Sequence, residues 1–198
     1  QALTEEVETR FLAELAATHS YIKGVVGWAD LTAPGVEKTL SEFKQYPVIK
    51  GIRHIVQSEP DDFLYRQDFR RGVALLKDYG YTYDILIYPR QLKAARDFVA
   101  EFPGQVFIVD HCAKPEIRNH EIEQWRAGIT ELAAYPNVYC KLSGLLTEAI
   151  WKEWSPADFY PYLDVIFNAF GPGRLLYGSD WPVMLLSGIY VQWKSLLE

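Results

Sequence analysis

The sequence predicts an α/β protein whose parallel strands are wound as a (β/α)8 barrel, and three observations carry that prediction. Six short β-like runs alternate with segments of helical periodicity at roughly 30 residues per unit, the pattern of βαβ units on a parallel sheet. Nearly every run ends in polar or aromatic residues: Trp28 and Asp30, Arg53 and His54, Tyr88, Asp110 and His111, Ser143, then Asp180 and Trp181. A barrel collects ligand contacts from many strand ends, whereas a doubly wound sheet concentrates them at one crevice. The glycine-rich first turn of a nucleotide-binding doubly wound sheet is also missing. Six units fall short of the eight strands and about 250 residues of a closed barrel.

The elements follow in order. Thr4 is a plausible N-cap, Glu5 and Glu6 suit the positive end of a helix, and Val7, Phe11, Leu12 and Leu15 form one apolar stripe. Residues 21–28 read as a strand with β-branched Ile22, Val25 and Val26. Val36, Leu40 and Phe43 stand at helical spacing, and Pro47 ends that helix. Residues 48–54 form the next strand, and a polar loop leads to a helix capped by Asp68 with Phe69, Val73 and Leu76 on one face. Strand 83–87 precedes a helix carrying Leu92, Ala95 and Val99. Strand 106–109 precedes one bearing Ile122, Trp125, Ile129 and Leu132. Strand 138–142 comes before a helix over 159–170 with Pro156 near its start, and strand 174–177 before a helix over 190–197. No linker or low-complexity segment interrupts residues 1–198, so they form a single domain.

Composition narrows the function. Of 198 residues, 49% are hydrophobic and 23% charged, which excludes general disorder. A net charge of −6 argues against a nucleic-acid surface and favours a small-molecule partner over membrane attachment. No apolar run approaches the roughly 20 residues of a spanning helix. Cys112 and Cys140 are too few for a disulfide scaffold and lack zinc-motif spacing, so they read as reduced packing residues of a cytoplasmic protein. The opening Gln1-Ala2 shows no leader, and carries little weight because it need not be the native start.

Six strings carry a family resemblance. They are Gly24-Val25-Val26-Gly27-Trp28-Ala29-Asp30-Leu31, Lys50-Gly51-Ile52-Arg53-His54, Asp61-Asp62-Phe63-Leu64, Asp110-His111-Cys112-Ala113-Lys114-Pro115, Cys140-Lys141-Leu142-Ser143-Gly144-Leu145 and Gly178-Ser179-Asp180-Trp181-Pro182. Together, in this order, they resemble the sugar-lactonase branch of the amidohydrolase superfamily (amidohydrolase 2 type), the fuconolactonase- and rhamnonolactonase-like proteins related to 2-pyrone-4,6-dicarboxylate lactonase. The resemblance implies a TIM barrel of which this chain carries about strands three to eight, with Gln1-Ala2 as the tail of strand two. The family's His-X-His pair at the end of strand one has no counterpart in these residues. The first two βα units are therefore expected before Gln1, and a further stretch after Glu198.

The resemblance also assigns chemistry. It makes Asp180, at the last strand end, the base that takes a proton from the attacking water; the competing reading is a turn aspartate bonded to its own backbone. It makes His111 either a metal ligand or the group that polarises the substrate carbonyl; the competing reading is a hydrogen-bonded core histidine. Strand alternation sends Arg53 and His54 to opposite faces; both are candidate substrate contacts, with His54 preferred and the pairing of Arg53 with a nearby carboxylate as its alternative. Trp28 and Trp181 read as apolar walls against a sugar ring or as packing, and Lys114 as a ligand for a carboxylate or hydroxyl or as a loop lysine. Glu59, Asp61 and Asp62 read as a solvated loop, and His19 and His120 receive no role.

The expected reaction is hydrolysis of a sugar-acid lactone in carbohydrate metabolism. One divalent cation, zinc foremost, held by His111 and Asp180, would lower the pKa of water to about 7. Lactones are activated esters, so a metal-independent route stays open. Two alternatives stand beside it: a metal-dependent decarboxylase of the same superfamily, and a non-catalytic remnant. A homo-oligomer is open.

Overall fold

The six strand-like runs form one sheet in the computed structural model, which describes all 198 residues. The strands are β1 (Val25–Gly27), β2 (Ile49–Ile55), β3 (Thr82–Leu86), β4 (Phe107–Val109), β5 (Val138–Leu142) and β6 (Leu175–Tyr177). Each pairs in parallel with the next, in chain order from β1 to β6. A doubly wound sheet reverses its strand order at a switch point. Unbroken order with right-handed crossovers instead sends every helix to the same face, which is the winding of a partial TIM barrel. The helices are α1 (Glu6–Thr18), α2 (Val36–Phe43), α3 (Gln67–Leu76), α4 (Leu92–Ala100), α5 (Glu123–Ala133), α6 (Tyr160–Phe170) and α7 (Tyr190–Leu197). None is long and apolar enough to cross a membrane.

Side-chain alternation sorts the sheet into two faces. On the helix side, Ile52, Tyr83, Ile85, Phe107, Val109, Val138 and Cys140 are buried against Phe69, Val73, Phe98, Trp125, Ile129 and Ile166. An aromatic group ties β3, β4 and α4 together, with Tyr83 and Phe107 at 5.9 and 5.4 Å from Phe98 in edge-to-face contact. Truncating Phe98 to alanine would cost about 3–5 kcal/mol. The other face carries charge. Register sets Arg53 of β2 beside Asp84 of β3, and places Asp110 and Lys141 on the same inner surface.

Two local expectations change. The buried face of α1 is Thr9, Ala13 and Ala16, while Val7 and Phe11 are 63% and 60% exposed. The reason is a close helix–strand approach. A Cβ on Gly27 would lie 2.3 Å from Thr9 Cγ2. The Thr9 hydroxyl also accepts the Trp28 N–H at 2.7 Å and donates to the Trp28 carbonyl at 2.9 Å. Small residues win that contact, and the apolar stripe turns outward. Secondly, neither Thr4 nor Asp68 is an N-cap. Glu5 and Arg66 hold those positions, and Asp68 sits one residue inside α3, accepting the Phe69 N–H at 2.8 Å.

Candidate active site

The site grows from the end of β4, where the backbone does something costly. His111, Cys112, Ala113 and Lys114 have φ of 52°, 53°, 55° and 48°, a left-handed turn of four consecutive non-glycine residues. Each such residue costs roughly 1–2 kcal/mol in this conformation, so the turn persists only because its surroundings hold it. Within it, the Lys114 N–H donates to the His111 carbonyl at 2.8 Å. From the helix layer, the buried Trp125 indole donates to the Cys112 carbonyl at 2.8 Å. The Cys112 thiol donates to the Lys141 carbonyl at 3.2 Å.

The result is an imidazole aimed across the sheet. Nδ1 of His111 lies 2.8 Å from Ser143 Oγ, just past β5, and Nε2 lies 3.4 Å from Asp180 Oδ1. Gly144 makes room for the ring. At φ +69° it has a conformation that suits glycine, and a Cβ there would stand 2.6 Å from His111 Cβ and 2.7 Å from Cγ. Asp180 enters from the loop after β6, itself at φ 58°, a value aspartate tolerates better than most residues. That loop is anchored by the Trp193 indole donating to the Gly178 carbonyl at 2.7 Å.

Burial sets the protonation states. It pushes His111 down to about 4, so the imidazole is neutral near pH 7. Its tautomer is then set by Ser143, whose hydroxyl can donate to Nδ1 or accept from it. If Ser143 donates, Nε2 carries the proton and can hydrogen-bond a carbonyl oxygen; if it accepts, Nε2 presents a lone pair. Burial also raises the Asp180 carboxyl, with Lys114 opposing the shift, which makes Asp180 a stronger base than a free aspartate. Its Oδ2 is buried without a hydrogen-bond partner.

Beneath this pair runs a buried ionic ladder. Arg53 Nη1 donates to Asp110 Oδ2 at 2.7 Å, Lys141 Nζ stands 2.6 Å from Asp110 Oδ1, and the same ammonium contacts Asp84. Asp84 and Asp110 are fully buried, and such charges survive only when paired. Burial acts to raise Asp110, and the charges of Lys141, His111 and Arg53 outweigh it; burial lifts Asp84 to about 6. To one side, Lys114 Nζ donates to Glu148 Oε1 at 2.9 Å.

The predicted residues thus divide. His111 and Asp180 meet, with Lys114 three residues further along the turn. Arg53, not His54, occupies the inner face beside Asp110. His54 turns to the helix side, stacked on Phe63 at 5.1 Å, accepting the Trp28 indole N–H at 3.1 Å and bonded through Nε2 to Glu59 at 2.8 Å. Trp28 and His54 therefore line a separate cavity of about 340 Å³ with Asp30, Glu59 and Phe63. The preference for His54 facing His111 is corrected by strand alternation itself, which gave the inner position to the longer, permanently charged arginine. Trp181 is 68% exposed and does not line that cavity. Glu59 and Asp61, expected as free loop charges, pair with His54 and with Arg90, the latter at 2.7 Å.

Sequence reasoning gave no role to Ser143, Asp84, Lys141 or Glu148. A signal existed for Asp84, a carboxylate between Tyr83 and Ile85 in an apolar run, which demands a buried partner.

As metal donors, His111 Nε2 and the unpartnered Asp180 Oδ2 fit a zinc ion by type and placement. They are two ligands where a catalytic zinc takes three, and no cluster of three or more His, Cys, Asp or Glu converges here.

Comparison with known proteins extends over the whole chain. The family model described as Amidohydrolase matches residues 1–198. The chain is 41% identical, over an alignment 209 positions long, to an L-fucono-1,5-lactonase of Burkholderia multivorans, covering 100% of this chain and 70% of that protein. It is 35% identical to an L-fucono-1,5-lactonase of Burkholderia ambifaria, covering 100% of this chain and 68% of the relative. The crystal structure of an amidohydrolase from Burkholderia multivorans with bound zinc superposes with a TM-score of 0.94 at 41% identity, over 100% of this chain and 72% of the other.

Proposed function

The chain belongs to the amidohydrolase family, and we propose on that footing that it is a hydrolase that opens the ring of a sugar-acid lactone. The carrying observation is the His111–Asp180 pair, 3.4 Å apart at the ends of β4 and β6, which flank β5, in a chain 41% identical to a named lactonase. Lactone opening is favoured over decarboxylation and over a non-catalytic role because the Burkholderia relatives at 41% and 35% identity are both named L-fucono-1,5-lactonase.

In the proposed reaction, water attacks the lactone carbonyl while Asp180 takes its proton. The Nε2–H of neutral His111, held in that tautomer by a donating Ser143, hydrogen-bonds the carbonyl oxygen as negative charge develops there. When the ring C–O bond breaks, protonated Asp180 returns the proton to the leaving oxygen, and a hydroxy acid is released. Arg53 and Lys141 stay out of the proton traffic and hold the floor through Asp110, the residue before His111.

Zinc is the proposed cation, supported by the donor pair and by its presence in the 41%-identical relative. His111 and Asp180 would be two of its ligands, with His111 then in the other tautomer, its Nδ1–H donated to Ser143 and its Nε2 lone pair available to the cation in place of the hydrogen bond to the carbonyl. When bound, zinc supplies a water acidic enough to ionise near neutral pH.

The test is lactone opening by purified protein and its Asp180→Asn variant. A loss of at least about 100-fold in kcat is expected for removal of the base. Hydrolysis by the variant at the parent rate would overturn the assignment of Asp180.

A further inference from the structure

Beside the catalytic pair lies a cavity of about 370 Å³, within the range of roughly 300–1,000 Å³ typical of small-molecule sites. Tyr88, Arg90, Lys114, Arg118, Asn119 and Glu148 line it. It opens at the carboxyl ends of the strands, between the loops that follow β3, β4 and β5. Lys114 joins it to the reaction site, since this residue closes the left-handed turn that begins at His111. The charges of Lys114 and Glu148 both act on Asp180, which puts the ion pair within electrostatic reach of the reacting group.

The charges around the cavity are largely matched. Lys114 holds Glu148 at 2.9 Å, with the Thr147 hydroxyl donating to the same carboxylate oxygen at 3.2 Å. Arg90 holds Asp61 at 2.7 Å, Asn119 holds Glu116 at 3.0 Å, and Arg118 reaches the Ala149 carbonyl at 3.4 Å. Lys114 and Glu148 are both mostly buried, so a ligand meets a fixed donor and a fixed acceptor side by side. A neutral diol suits that arrangement: one hydroxyl accepts from the ammonium and its neighbour donates to the carboxylate. A dianion does not, because Glu148 and Glu116 would face its carboxylates with one guanidinium left to compensate.

We propose that the Lys114–Glu148 pair and its cavity form the subsite for the vicinal hydroxyls of the substrate, and select neutral polyhydroxylated lactones over bare or dicarboxylated ones. This rests on the lactonase reading of the site, and the test is built so that the two can fail separately.

The probes are two δ-lactams, with ring N–H replacing the ring oxygen, one carrying the sugar hydroxyls and one unsubstituted. Their binding to the full chain, to Glu148→Gln and to Lys114→Gln is measured by calorimetry, and kcat/KM is measured on the corresponding lactones. Expected are at least a tenfold preference of the parent for the hydroxylated lactam and its collapse to near parity in Glu148→Gln. The ratio of kcat/KM between the two lactones should fall in step, chiefly through KM. A parent without preference, or a variant that keeps it, overturns the subsite. Equal losses on both lactones also overturn it, since they would mark a merely structural role. Failure of the parent to open either lactone would instead sink the lactonase reading, and the lactam preference would still decide the subsite.

Discussion

Trp125 grips the left-handed turn at His111 from behind: its indole N–H, in the helix layer, donates at 2.8 Å to the carbonyl of Cys112, the residue after His111. The helix side of the sheet thereby holds a strained turn whose imidazole points to the other side. Trp125→Phe keeps an aromatic ring in the core and deletes this bond. The stranded carbonyl should cost about 1–3 kcal/mol of stability. Relaxation of the turn should lower kcat by about 10- to 100-fold, because small misplacements of a reacting group are expensive. Urea unfolding alongside lactone kinetics checks both; a destabilised variant with parental kcat would show that the grip does not position His111.

Gly144 offers a second route to the same ring. An alanine there must adopt φ +69° and place its Cβ 2.6 Å from His111 Cβ, so backbone strain and steric displacement act together. Gly144→Ala should lose more than about 1 kcal/mol and most of the activity. Gly35→Ala is the control, since a Cβ at Gly35 meets nothing within 4 Å and φ there is −99°. If Gly144→Ala unfolds and turns over like Gly35→Ala, the packing of His111 against Gly144 is not what fixes the ring.

Legibility in the sequence followed the range of the forces involved. Alternation of Val138, Cys140 and Leu142 against Tyr139, Lys141 and Ser143 is local, so β5 and its buried face were readable. The strand ends bearing His111 and Asp180 were readable too, because turn residues follow each run. The partners of Lys141 lie 57 residues away at Asp84 and just past another strand at Asp110, and nothing local specifies such pairs. The outward turn of Phe11 was hidden for a related reason. It is decided by Thr9 meeting Gly27, a contact between a helix and a strand that periodicity within α1 does not contain.

The two faces of β2 make a direct comparison. Arg53→Leu removes the guanidinium from buried Asp110 and leaves that carboxylate with Lys141 alone. His54→Leu removes the acceptor of the Trp28 indole and the partner of Glu59, on the helix side. Both should destabilise, by about 3–5 kcal/mol for the broken buried ion pair and about 1–3 for the histidine. The loss in kcat/KM should be greater for Arg53→Leu, since Asp110 directly precedes His111. A larger kinetic loss from His54→Leu would mean that the Trp28 cavity serves the reaction.

The neutral state of His111 predicts how stability depends on pH in metal-chelated protein. Its pKa falls from 6.5 unfolded to about 4 folded, so between those values the unfolded chain binds more protons than the native one. Stability from this residue is therefore complete above pH 6.5 and is lost as pH falls toward 4, amounting to about 3 kcal/mol. Asp84 acts with the opposite sign: its carboxyl is lifted from 3.8 to about 6, so its contribution is fullest below 3.8 and is lost as pH rises through 6. The two windows overlap, and the total curve blends them. The difference between the parent and His111→Asn isolates the histidine. Urea unfolding free energies should show the parent losing more stability than His111→Asn between pH 6.5 and 4. Parallel curves would mean that folding leaves the ring at its ordinary pKa, and with it would fall the inference that burial holds His111 in the neutral state.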